Sequence, residues 1–287
     1  MMSNILFQAP VCKMKSFDNL FIEMTAKNCN QRCKHCYIDF PLNKNIKDFI
    51  SVESIKNALV QTKDKNIKCI YLMGAEPMTH PDFNVILRMC LKYSNVCIFT
   101  NGFFINEKKA RFLKRVQDEN HNEIIFKLSI DHYDEFKNDE IRSRGAYRTV
   151  INAVKNLVKY EFNPILAVTN FYNEPNEKLL CEFKNLFQKQ GYDLNDSNIV
   201  INEFYNAEQV GMSADFVPEK PDCMYGRILT AKGVYCCPFL ANDHRGRCGS
   251  DFSDFSQHNS IETPYCATCI RNKKSMFGIN FELFEER

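Results

Sequence analysis

Phe21-Ile22-Glu23-Met24-Thr25, followed three residues later by Cys29-Asn30-Gln31-Arg32-Cys33-Lys34-His35-Cys36-Tyr37, is the stretch on which the fold turns. A short apolar run with β-forming residues predicts a strand, and the strand ends at a cluster of thiols. The same unit repeats downstream. Ser51 is placed to cap a helix, with Ser54 following and Ile55, Leu59 and Thr62 on one face. Strands are predicted over 69–73, 96–99, 124–130, 164–169 and 198–201, with helices over 81–93, 106–117, 147–160 and 176–190. The 147–160 helix repeats Val150, Val154, Leu157 and Val158 at helical spacing. Six such units imply parallel strands joined by right-handed crossovers, with the helices outside. The expected class is α/β, an open, partial (β/α)6 TIM-like barrel. In such folds the chemistry collects at the C-terminal ends of the strands. Here those ends carry Cys29 to Cys36, Gly74 to Pro77, Thr100 to Gly102, Ser129 to Asp131, Thr169-Asn170 and Glu203.

The alternation stops near residue 212. Three parts are expected: an N-terminal arm over 1–18, the barrel over 19–212, and a small cysteine-rich C-terminal extension over 213–287. The extension is too poor in apolar runs to hold a core of its own without staples or metal. A net charge of +2, without a long run of one sign, gives no nucleic-acid footprint and no polybasic membrane patch. No apolar stretch approaches the roughly 20 residues of a membrane span. The first ten residues lack the basic start and apolar run of a signal peptide, so the expected location is cytoplasmic. In that reducing setting, fourteen cysteines point to metal or redox chemistry rather than disulfides. Cys12, Cys69, Cys90, Cys97 and Cys181 are scattered and read as small buried hydrophobes. The other nine form two groups.

In the first group, Cys29, Cys33 and Cys36 follow C-x3-C-x2-C spacing. Three thiolates are one short of a closed structural site, so a four-iron four-sulfur (4Fe–4S) cluster held by them keeps one iron open for a bidentate small molecule. Zinc with His35 or another group as fourth ligand is the alternative.

The spacing, with His35 before the last cysteine, resembles the signature of the radical S-adenosylmethionine (SAM) superfamily, and the later strand ends match it over roughly residues 19–206. Gly74-Ala75-Glu76-Pro77 is similar to the family's Gly-Gly-Glu-Pro segment, with Ala75 departing at the second glycine. The resemblance implies that this segment binds the SAM amino group through main-chain carbonyls and Glu76. It also implies that Asn101 and Asp131 belong to the cofactor site, that Ser129 contacts the ribose or carboxylate, and that Tyr37 offers its main chain to the adenine. Of Arg142 and Arg144, Arg144 is expected to pair with the SAM carboxylate because it adjoins Gly145. The implied activity is reductive cleavage of SAM to a 5′-deoxyadenosyl radical that abstracts a substrate hydrogen, fed by a flavodoxin or ferredoxin.

In the second group, residues 226–235 read as a hairpin with Lys232-Gly233 at its turn, bringing Cys223 near Cys236 or Cys237 and towards the Cys266–Cys269 pair. The pattern resembles the superfamily's SPASM extension and, with no cysteine after Cys269, its shorter twitch form. An auxiliary 4Fe–4S cluster on Cys223, Cys237, Cys266 and Cys269 is implied, with Cys236 or Cys248 able to substitute. A zinc ribbon on the same four thiols is the alternative. The expected reaction is a two-electron oxidation of a small polar molecule, since only about twenty residues precede the first strand; a peptide or protein modification is the alternative. Lys127, Asn170 and Glu203 are the candidate substrate contacts, with Glu203 as a catalytic base.

Overall fold

The computed structural model describes residues 11–38, 48–204, 221–260, 263, 265, 266, 269, 276 and 277. The boundary expected at 212 lies outside them. The six β/α units appear in order: β2 (Asn19–Thr25), α1 (Val52–Thr62), β3 (Cys69–Gly74), α2 (Phe83–Leu91), β4 (Asn95–Thr100), α3 (Glu107–Asp118), β5 (Ile124–Ser129), α4 (Glu135–Arg142), α5 (Ala146–Lys159), β6 (Ile165–Asn170), α6 (Asn176–Gln188) and β7 (Ile199–Glu203). Strand β1 (Val11–Lys13) precedes them, and β8 (Gly226–Thr230), β9 (Gly233–Tyr235), β10 (Arg247–Gly249) and β11 (His258–Ser260) follow. Strands β2 to β7 pair in parallel and in sequence, and among the described strands β7 is left at one edge of an open sheet.

Period-two alternation sorts the strand residues onto two faces. Leu20, Ile22, Ile70, Leu72, Val96, Ile98, Phe126, Leu128, Leu166 and Val168 pack outward against the helices. Phe21, Tyr71, Met73 and Cys97 face the lumen, where Phe99 and Tyr37 join them. Three helices carry the side-chain caps their sequences offer, each worth about 1 kcal/mol. Ser51 Oγ accepts from Ser54 N at 3.1 Å, Asn106 Oδ1 from Lys109 N at 2.9 Å, and Asp134 Oδ1 from Lys137 N at 2.9 Å.

Four expectations are corrected. Helix α4 was not foreseen, because only Asn138, Ile141 and Arg142 of its eight residues are buried and no apolar stripe betrays it. The extension is less separate than its composition suggested: β8 lies parallel to β2, with Asn19 opposite Gly226 and Ile22 opposite Leu229, and β9 and β10 continue the same nine-stranded sheet. The β8–β9 hairpin closes Thr230 onto Gly233, so its turn is Ala231-Lys232, one residue earlier than expected. Of the scattered cysteines, Cys69, Cys90 and Cys97 are core residues, but Cys181 is exposed and Cys12 meets the distal thiols.

Close approach of backbones sets the β2–β8 contact. A Cβ on Gly226 would lie 2.5 Å from the Asn19 carbonyl oxygen. Gly226→Ala should therefore push β8 off β2 and lower stability by about 2 kcal/mol, measured as a shift in the urea midpoint. A midpoint equal to that of the parent would mean that the extension does not depend on this pairing.

Candidate active site

The strand ends open onto a cavity of about 370 Å3. The thiols Cys29, Cys33 and Cys36 lie on one wall with His35 and Tyr37, and Gly74, Ala75, Glu76, Asn101 and Ser129 continue it. Gly74 is required here. It sits at φ +121°, and a Cβ would meet the Thr25 carbonyl oxygen at 2.4 Å. Ala75 is not among the residues with positive φ, so alanine replaces the family's second glycine without backbone strain. Pro77 is buried, opens a short 3-10 turn and stands behind the lining.

Two buried carboxylates bind the strand ends together. Glu76 is 1% exposed; its Oε1 accepts from Thr100 Oγ1 at 2.8 Å and Met78 N at 3.2 Å, and its Oε2 from Asn101 N at 2.9 Å. Burial pushes it up to about 7 against the pull of those hydrogen bonds. Asp131, at the end of β5, does not line the cavity but organises it. Its Oδ2 meets His35 Nε2 at 2.6 Å and accepts from Arg142 Nη1 at 2.8 Å, while Oδ1 accepts from Thr169 N at 3.1 Å. Burial alone would raise Asp131, but the Arg142 guanidinium and His35 hold its carboxyl well below the usual carboxylate range.

Arg142, and not the expected Arg144, is the arginine that lines the cavity. Helix α4 ends on Arg142, which is 7% exposed, and the chain then turns at Gly145 (φ +83°), leaving Arg144 on the surface outside the lining. Arg142 Nε is buried without a protein partner. Such a donor fits the carboxylate of a bound ligand.

The three thiols suit a metal cluster. Gln31 N lies 3.3 Å and Asn101 Nδ2 3.8 Å from Cys29 Sγ, as donors to a ligating sulfur would. Burial pushes the Cys33 thiol up to about 11 and raises Cys29 and Cys36, so a metal binding them must displace protons. Among the described residues no three His, Cys, Asp or Glu groups stand close enough for a single ion. A cubane tolerates that spacing because each thiolate binds its own iron.

Three lumen residues complete the opposite side. Lys127 is 1% exposed; its Nζ donates to the Phe277 carbonyl at 3.2 Å and lies 4.7 Å over the Phe99 ring. Glu203, at the end of β7, lines the cavity and accepts from Asn176 Nδ2 at 2.8 Å. Beside it Asn202 Oδ1 is buried without a partner, a lining residue that the sequence reading missed although it stands two residues after the inward Val200. Asn170, by contrast, is spent on its own loop, donating to the Glu174 carbonyl at 2.7 Å.

Asp131→Asn should destabilise the fold by about 3 kcal/mol, because it leaves Arg142 buried without its countercharge. The Asp131 contribution is fully present above the unfolded carboxyl's ordinary pKa and is lost as pH falls through the depressed folded value. The parent should thus lose stability on acidification below about pH 4 more steeply than the variant, as urea titrations across that range would read.

The distal cysteines converge as well. Cys237 feels the charges of Cys223 and Cys266, and Cys269 those of the same two. Tyr37, next to Cys36, packs edge-on against Phe239 at 5.8 Å, two residues from Cys237.

Among families of known proteins, residues 25–183 match the Radical SAM superfamily. Two curated relatives are similar over part of their length. The antilisterial bacteriocin subtilosin biosynthesis protein AlbA of Bacillus subtilis is 26% identical over 163 residues, 56% of this chain and 34% of that protein. The GTP 3′,8-cyclase of Campylobacter curvus is 27% identical over 138 residues, 47% of this chain and 41% of that protein. The matches thus span less than half the length of either relative. Among solved structures, anSMEcpe with bound AdoMet superposes with a TM-score of 0.62 at 14% identity, covering 93% of this chain and 85% of that one. Streptococcus suis SuiB bound to precursor peptide SuiA gives 0.53 at 15% identity, covering 85% and 64%. No described helix is long and apolar enough to cross a membrane. With the match covering more than half its length, the chain belongs to the radical SAM superfamily, an enzyme family whose cofactors are a 4Fe–4S cluster and SAM.

Proposed function

We propose that the chain cleaves SAM reductively and uses the resulting radical on a peptide side chain. The observation that carries the first half is the buried, unpartnered Arg142 Nε in one cavity with three thiols. When bound and given one electron, the cluster and SAM supply a 5′-deoxyadenosyl radical that removes a hydrogen atom from unactivated carbon. Cys29, Cys33 and Cys36 hold the cluster, and Arg142 holds the SAM carboxylate. Because the Glu76 carboxylate already accepts three protein donors, the carbonyls of Gly74 and Ala75 are the acceptors left for the SAM amino group. Ser129 turns its hydroxyl to the ribose and Tyr37 its main chain to the adenine. Glu203 takes the substrate proton. The electron comes from a flavodoxin or ferredoxin.

Phe99, Phe239, Tyr265 and Phe277 also line the cavity. Aromatic faces suit an apolar side chain better than a polyhydroxylated molecule. The names of AlbA, a bacteriocin biosynthesis protein, and of SuiB, solved with its precursor peptide, agree with a peptide. A second reading, oxidation of a small polar molecule, draws on the unpartnered Asn202 Oδ1, which suits a substrate hydroxyl. In either case an auxiliary, twitch-like 4Fe–4S cluster sits on Cys223, Cys266 and Cys269, with Cys237 the fourth thiol that sequence offers.

Three outcomes test this. Anaerobically reconstituted Cys33→Ala should form no 5′-deoxyadenosine from SAM and dithionite by mass spectrometry; cleavage at the parent rate sinks the proposal. Arg142→Ala should weaken SAM binding about 10- to 100-fold by equilibrium dialysis, while Arg144→Ala leaves it unchanged. Peptides carrying deuterated side chains should transfer deuterium to 5′-deoxyadenosine, whereas transfer only from deuterated cyclitols or sugars would favour the second reading.

A further inference from the structure

One thiol reaches the distal cysteines from the far end of the chain. In β1 the neighbours alternate sharply: Val11 is 62% exposed and Cys12 is 2% exposed. Strand β1 pairs antiparallel with β11, setting Cys12 opposite Asn259. That pairing aims the Cys12 thiol away from the main core, into a small cluster with Met224, Cys223 and Cys266. Its Sγ lies 3.7 Å from Cys223 Sγ, and the charge of Cys269 acts on it. Cys237 also feels the charges of Cys223 and Cys266, but the thiol that acts on it most strongly is that of Cys236. Direct contact thus groups Cys12 with Cys223 and Cys266, with Cys269 acting on Cys12, while Cys237 stands nearest to Cys236.

Two independent features mark the first four thiols as a place for an anionic metal centre. Arg227 is 0% exposed and forms no carboxylate ion pair among the described residues. Its guanidinium donates to the carbonyls of Cys223 at 2.6 Å, Gly226 at 2.8 Å and Ser256 at 3.3 Å. Its charge acts on both Cys12 and Cys223. A guanidinium buried without a countercharge is costly. Four thiolates on a 4Fe–4S core, with a net charge of about −2, supply that countercharge. Asn259, opposite Cys12 in the β1–β11 ladder, opposes the rise of the Cys223 thiol, and its own Oδ1 is buried without a partner.

We propose that Cys12 of the N-terminal arm is a thiolate ligand of the distal iron–sulfur centre, completing four with Cys223, Cys266 and Cys269 in place of Cys237. This rests on the reading that the distal thiols hold a cluster. The test uses the full chain with Cys29, Cys33 and Cys36 replaced by alanine, reconstituted anaerobically with iron and sulfide. That background should hold about four irons and four sulfides. If it holds none, or zinc instead, the cluster reading itself fails. If it loads, Cys12→Ser should lower the iron content and shift both the electron paramagnetic resonance spectrum and the midpoint potential of the reduced centre. An unchanged spectrum, potential and iron content in Cys12→Ser would overturn the assignment and leave the cluster reading standing. The complementary variant replaces Cys236, Cys237 and Cys248 with serine and leaves the arm intact. Full iron loading with the parent spectrum is expected there, and loss of the centre would overturn the proposal even if Cys12→Ser failed to fold.

Discussion

One buried carboxylate holds the site in shape. Asp131 receives His35 from the cysteine loop, Arg142 from the end of α4 and the amide of Thr169 from β6. These groups come from three segments; Lys34 N also donates to the Ile141 carbonyl at 2.9 Å, so the cysteine loop and the end of α4 are tied by backbone as well as by Asp131. A single anion between two cationic or dipolar partners fixes their separation, because each would otherwise be buried without compensation. Arg142 can therefore keep one nitrogen unpartnered and face the cavity, while its charge is already balanced from behind. Glu76 performs a related task one strand away, tying the end of β3 to the end of β4 through neutral donors. A charged tie and a neutral tie thus lie side by side, and only the charged one brings an arginine.

Most of the barrel was legible because its strands and helices obey simple periods. The alternation of outward Leu20, Ile22 and Leu72 with inward Phe21, Tyr71 and Met73 is written directly in the residues. The thiols and strand-end motifs were legible for a different reason, since metal and cofactor chemistry restricts which residue types serve at which spacing. What escaped were features fixed by tertiary placement. Helix α4 has too few buried positions to leave a pattern, and so nothing in the sequence singled out Arg142 over Arg144 as the residue lining the cavity. Adjacency to Gly145 says where the chain bends, not which side chain the bend turns inward. Asn202 was invisible because a polar residue near a strand end looks the same whether it meets solvent or a lumen. Cys12, alone in sequence among apolar and basic neighbours, acquires meaning only from β11.

The extension changes character when its sheet pairing is considered. By composition it was a loop-rich tail that needed metal to fold. Through β8 it instead shares the main sheet, and Leu229 and Val234 enter the principal core. Metal binding at the distal thiols then need not create the fold of that region; it can act on a scaffold the barrel already supplies. Tyr37 and Phe239 pack between the two thiol groups, so the barrel loop and the extension are built against each other rather than beside each other.

The strap formed by β1 and β11 has a consequence in time. Cys12 and Cys223 touch across 211 positions of sequence, so their encounter requires everything through Cys223 to have left the ribosome. Contacts this distant form late in folding, after local β/α units have assembled. The cysteine loop beside β2, by comparison, can fold against its neighbouring strands early. A cell that loads metal during synthesis would therefore meet the first thiol group well before the distal thiols come together, in an order set by chain topology.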